Sequence, residues 1–192
     1  MGIKIHGNWK KGIALDLHTK SSEYLGVDEF GHDRFETIRS EMGELVYKLK
    51  YKSDLSVVPQ IVNAIVKIGG IEKMDYIIPV PPSNIHRRFQ LVFIIAEELS
   101  KKIDVELATD LILKIRETPE LKNIADNKER DNITRDAFSL NDTYNLSGLK
   151  VLILDDLYRS GTTLRAITSL LHEEGKVKNV YVVTLTKTRS TR

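Results

Sequence analysis

The chain has 192 residues, of which 41% are hydrophobic and 29% charged, with a formal net charge of +2 and no cysteine. That suffices for one substantial core, excludes disulfides and cysteine-based zinc sites, and is too mildly basic to argue for nucleic acid as a direct ligand. The first residues lack the apolar core of a signal peptide and no run approaches the ~20 apolar residues of a bilayer span, so the expectation is a cytoplasmic protein without membrane partners.

Ile3 and Ile5 alternate with Lys4 and His6, Gly7-Asn8 suits a turn, and Ile13, Leu15 and Leu17 alternate again. The first 35 residues are therefore expected to be strands and turns, as a hairpin on the edge of the main domain. Trp9, the single tryptophan, reads as a packing anchor. Ile38, Met42, Leu45, Val46 and Leu49 share a helical face and predict a helix over 35–51. A second helix is predicted over 55–68, closed by Gly69-Gly70. Lys48, Lys50 and Lys52 read as a solvated face of the first helix.

A strand is expected at Tyr76–Val80, then the loop Pro81-Pro82-Ser83-Asn84-Ile85-His86-Arg87-Arg88. A stiff loop with two arginines suits an oxygen-rich anion, because the planar guanidinium makes paired hydrogen bonds; a plain surface turn is the alternative. A helix over 91–101 and one or two strands within 105–115 follow. Residues 116–136 are the most polar stretch, too long and too charged for a tight connection, and read as a lid or a disordered segment.

Val151 to Leu164, VLILDDLYRSGTTL, organises the rest. Val151–Leu154 is a continuous apolar run, as in a parallel strand buried on both faces. Asp155 and Asp156 then place two carboxylates at the strand's carboxyl end, where ligands bind in open α/β sheets. A loop over 157–163 leads into a helix over 162–174, whose N-terminus offers unpaired N–H groups to an anion. Gly161 permits close backbone approach, and Ser160, Thr162 and Thr163 add hydroxyls. The pattern reads as a phosphate cradle beside two acids able to accept from sugar hydroxyls. Three other readings share these residues. One is a buried strand with an acidic turn. Another is a Walker B segment, which needs a GxxxxGK(S/T) loop that the chain lacks. The third is the opening of a response-regulator receiver, which needs more βα units than remain. A last strand is expected at 180–185, and a short basic tail ends the chain.

These fourteen residues resemble the PRPP-binding motif of type I phosphoribosyltransferases. The resemblance implies that Asp155 and Asp156 are the catalytic acids, contacting the ribose hydroxyls of 5-phosphoribosyl-1-pyrophosphate (PRPP). It implies that Tyr158, Arg159, Ser160, Gly161, Thr162 and Thr163 bind the 5′-phosphate, and that Pro82, Ser83, Arg87 and Arg88 bind pyrophosphate. Arg159 and Ser160 stand where two Thr are usual.

Residues 43–188 are further similar to ComF-type phosphoribosyltransferase-like proteins. The likeness lies in GELVYKLKYK at 43–52, in IIPVPPS followed by RRFQ, and in Arg116, Thr118 and Pro119 with Arg130, Asn132 and Phe138. The zinc ribbon of many members is absent, Arg88-Phe89-Gln90 replaces a longer RGFNQ segment, and Leu121 stands where Gln is frequent.

The fold implied is α/β, a mainly parallel sheet with helices on both faces. A small N-terminal addition (1–42) would precede the phosphoribosyltransferase-like domain (43–192), whose hood (about 116–138) carries Arg116, Lys122 and Arg130. The activity implied is transfer of the 5-phosphoribosyl group from PRPP to a nitrogen acceptor such as a nucleobase, a glycosyltransferase step of nucleotide metabolism that releases pyrophosphate. The alternative is a non-catalytic PRPP- or nucleotide-binding regulator or DNA-uptake partner. Mg²⁺ is expected to arrive with PRPP, with no direct protein ligand; the partners expected are PRPP, a small-molecule acceptor and a second copy in a homodimer.

Overall fold

Val151, Leu152, Ile153 and Leu154 are buried on both sides, because apolar layers cover both faces of the sheet they run through. The computed structural model describes residues 2–82, 90–116 and 134–189. Its six-stranded sheet holds β1 (Ile3–Lys4), β2 (Lys11–Leu17), β5 (Tyr76–Pro79), β6 (Glu106–Leu107), β9 (Lys150–Tyr158) and β10 (Asn179–Lys187), in the order β1-β2-β10-β9-β5-β6. Every neighbouring pair is parallel except β1 with β2 at one edge. This is the mainly parallel α/β sheet expected.

Alternation along β9 divides the core. Leu152 and Leu154 meet Val183 and Leu185 of β10 under α1 (Glu41–Lys52), α2 (Val58–Val66) and α3 (Leu91–Ile103). Val151 and Ile153 meet Leu164, Ile167 and Leu171 of α4 (Thr162–Glu173) on the other face. Beside α4 lies the antiparallel pair β7 (Ile112–Lys114) and β8 (Phe138–Leu140), which anchors both ends of the polar stretch through Ile112 and Phe138.

The N-terminal segment is more than an edge hairpin. β2 lies parallel to β10, with Ile13 opposite Val183 and Leu17 opposite Lys187. Trp9 is buried against the α4 face. A second hairpin, β3 (Thr19–Val27) with β4 (Asp33–Arg39), forms a separate two-stranded sheet. The helix expected over 35–51 is thus corrected: residues 35–39 are strand, paired as Phe35 with Tyr24 and Ile38 with Ser21. The helix starts only after Ser40, whose Oγ accepts from the Gly43 N–H at 2.9 Å. The boundary expected between residues 42 and 43 falls in the first turn of α1.

α1 lies across the carboxyl ends of the strands. Its start is clamped beyond β2, where Ser40 Oγ donates to the Leu17 carbonyl and a Cβ at Gly43 would collide with the His18 carbonyl. From there it packs against β10, and Lys50 near its end reaches Asp156 of β9. Among the described residues no helix is long and apolar enough to cross a membrane.

Candidate active site

β9 does not stop at Leu154 but runs through both acids to Tyr158, so the loop is Arg159–Gly161, shorter than the 157–163 expected. Pairing with β10 out to Lys187 extends it: Thr186 lies opposite Leu157 and Lys187 opposite Tyr158. Successive strand residues face opposite ways. Asp155 therefore follows Ile153 toward the α4 face, and Asp156 follows Leu154 toward the α1 face.

The two carboxylates have different surroundings. Asp155 is half-buried, and its Oδ1 accepts from the Asp156 N–H at 2.8 Å. Burial first, and the neighbouring Asp156 charge second, push its carboxyl up from 3.8 to about 7. Asp156 Oδ2 accepts from Lys50 Nζ at 2.8 Å, with the two side chains only 21% and 25% exposed. Lys50 is thus not part of a solvated face: Lys48 and Lys52 are exposed, whereas Lys50 points into the site.

His18 stands beside this pair. Its Nδ1 lies 3.1 Å from Thr186 Oγ1, which donates to the Asp156 carbonyl at 3.1 Å. Burial foremost, then the Lys50 charge, lower its pKa.

The loop is shaped for an anion. Gly161 has φ of 76° and sits over the Tyr158 ring, where a Cβ would come within 2.7 Å of Tyr158 Cε2. α4 starts at Thr162 without a side-chain cap, which leaves the N–H groups of Thr163 and Leu164 without intrahelical partners. Ser160 and Thr162 bring their hydroxyls within 3.0 Å of each other. Arg165 ties the loop down, Nη1 donating to the Ser160 carbonyl at 2.8 Å and Nη2 to Thr162 Oγ1 at 3.3 Å.

The N-terminal segment braces it from below. Tyr158 donates its hydroxyl to the His6 carbonyl at 3.2 Å and meets Trp9 edge-on at 6.4 Å between centroids. Asn8 Nδ2 donates to the Arg165 carbonyl and to Ser169 Oγ at 3.0 and 2.9 Å.

Asp155, Asp156, Tyr158, Arg159, Ser160, Gly161, Thr162 and Thr163 share one cavity of about 330 Å³ with Lys50. Pro82 follows β5, whose neighbour Val80 donates to the Leu154 carbonyl at 2.9 Å, so the end of β5 lies beside the acids. Arg116 is exposed and does not line the cavity. Ser83, Arg87, Arg88, Lys122 and Arg130 lie outside the described residues. Sequence reasoning missed Lys50, His18 and Arg165. Lys50 alone left a trace: it follows Leu49 and lies four residues after Val46, at the margin of the apolar face.

No curated protein sequence matches the chain. Among solved structures, adenine phosphoribosyltransferase from Saccharomyces cerevisiae is 15% identical, covering 85% of this chain and 83% of its own, with a TM-score of 0.47. Orotate phosphoribosyltransferase from Aeropyrum pernix is also 15% identical, over 83% of this chain and 73% of its own, with a TM-score of 0.45. UMP synthase from Leishmania donovani is 18% identical over 84% of this chain, which spans only 27% of that protein, with a TM-score of 0.43. A family model described as "Phosphoribosyl transferase domain" matches residues 92–192. It takes in β9, both acids, the loop and all of α4, and it covers more than half of the sequence; the chain belongs to the phosphoribosyl transferase domain family.

Proposed function

We propose that this protein is a PRPP-dependent phosphoribosyltransferase of the ComF-like type, passing the 5-phosphoribosyl group to a nitrogen acceptor such as a nucleobase and releasing pyrophosphate. The observation that carries the reading is one cavity that joins two strand-end carboxylates to an uncapped helix N-terminus through a glycine loop. The 5′-phosphate takes the N–H groups of Thr163 and Leu164 and the hydroxyls of Ser160, Thr162 and Thr163. Asp155 and Asp156 accept from the ribose hydroxyls and favour the positive charge that grows on the ring as the bond to pyrophosphate breaks.

The acceptor atoms of the acidic pair are oxygens, which suits a hard cation held mainly by substrate phosphates and water. Mg²⁺ bound with PRPP would supply positive charge to the leaving pyrophosphate. Pro82, Ser83, Arg87 and Arg88 are assigned to the pyrophosphate side. Arg116, Lys122 and Arg130 are assigned to a hood at about 116–138, within a catalytic domain of residues 43–192 preceded by the addition 1–42.

The test is calorimetric titration of PRPP with and without Mg²⁺, on the wild type and on the double variant Asp155→Asn/Asp156→Asn. Mg²⁺-dependent binding that the double variant abolishes supports the reading, and a screen of nucleobases for pyrophosphate release then identifies the acceptor. A wild type that binds PRPP under neither condition overturns it.

A further inference from the structure

Two adjacent carboxylates are a poor place to bring a polyanion. Each negative charge near the cradle opposes the phosphates that the loop attracts. The molecule answers this within the same cavity. Lys50 Nζ sits 2.8 Å from Asp156 Oδ2, and the pair is shielded enough that bulk water and salt do not cancel it. The two residues are 106 positions apart in sequence, so the contact exists only because α1 crosses the strand ends. The crossing is built in: Gly43 admits the His18 carbonyl where no side chain fits, and Ser40 both caps the helix and grips Leu17.

Asp155 and His18 stand beside the Lys50–Asp156 pair, and the His18 ring also feels the charges of Arg39 and Arg159. Arg39 stands 3.7 Å from Glu44, and Arg159 is exposed. Lys50 is the one cation among the described residues that is both half-buried and in direct contact with the acidic pair.

We infer that Lys50 is a positioning residue of the site, the fixed counter-charge of Asp156 that lets an acidic sugar-binding pair accept a strongly anionic sugar phosphate. The inference rests on the PRPP reading above and adds to it a determinant of ligand charge. Lys50 orients the Asp156 carboxylate by holding Oδ2, which leaves Oδ1 to the sugar hydroxyl. It also removes one negative charge from the approach of the phosphates. Its effect therefore grows with the charge of the ligand.

The experiment measures the affinities of ribose 5-phosphate and of PRPP, both at the same Mg²⁺ concentration and at low ionic strength, for the wild type, Lys50→Met and Lys50→Arg. Lys50→Met is expected to weaken PRPP about tenfold more than ribose 5-phosphate, because the two ligands share the 5′-phosphate and differ by a pyrophosphate. Lys50→Arg restores the cation and is expected to recover most of that difference. Thermal melting of each variant confirms that the compared proteins are folded. Equal losses for both ligands, or a Lys50→Arg protein as defective as Lys50→Met, would give Lys50 a merely structural role and overturn the inference. A wild type that binds neither ligand overturns the PRPP reading itself, an outcome distinct from the other two.

Discussion

Asp155→Asn is expected to make the free protein more stable above neutral pH while disabling its cradle. Asp155 is held with a carboxyl pKa raised from 3.8 to about 7, by burial and then by the charge of Asp156. Between those values the native state binds more protons than the unfolded chain, so stability falls as pH rises through the window. At about 1.4 kcal/mol per pH unit, the separation sets a ceiling of about 4 kcal/mol on the cost of ionising this side chain. Asp156 shares in the repulsion, and we expect Asp155→Asn to recover on the order of 1–3 kcal/mol at pH 8. Asn keeps an acceptor for the Asp156 N–H, so the backbone contact at 2.8 Å survives. The assay is urea unfolding of both proteins at pH 4 and pH 8. The stability difference should be small at pH 4 and should favour the variant at pH 8. An Asp155→Asn protein no more stable than wild type at pH 8, or with the same advantage at both pH values, would refute the reasoning.

Further expectations follow from single contacts. Gly161→Ala puts a Cβ against the Tyr158 ring at a φ of 76°, and should lower stability by about 1–3 kcal/mol and weaken phosphate binding; melting and titration check both. Lys50→Met should raise the pKa of His18, since the lysine charge helps to hold it down, and an NMR titration of the ring reads the shift directly. Leu152→Ala opens a cavity in a fully buried strand and should cost about 2–5 kcal/mol in urea unfolding. Thr168 Oγ1 is buried without a partner, so Thr168→Val should be neutral or stabilising by the same measurement.

The centre of the fold was legible because its signals are local. Val151–Leu154 is apolar throughout, the acids and Gly161 follow directly, and α4 carries Leu164, Ile167, Leu170 and Leu171 at helical spacing. Residues 35–39 were not legible, because Ile38 stands in helical register with Met42 and Leu45. What decides their state is pairing with β3 and the cap at Ser40. Leu157 and Tyr158 read as loop for a related reason: nothing near them in sequence shows that β10 is long enough to pair with them. Lys50 gave only its place beside the apolar face of α1, because its partner Asp156 lies 106 positions away in sequence.

The place of β2 in the sheet bears on how the molecule is made. Lys11 to Leu17 pair in parallel with Tyr181 to Lys187, so a strand from the beginning of this sequence waits for one near its end. A nascent chain leaving the ribosome would expose Ile13, Leu15 and Leu17 until β10 had been synthesised. Because pairing across such a separation closes a very large loop, the sheet should complete late and slowly. Ser40, Gly43 and the first turn of α1 dock on the carboxyl end of that same strand. Lys50 would then reach Asp156 only in the last folding step, so that the binding cavity and the finished topology arrive together.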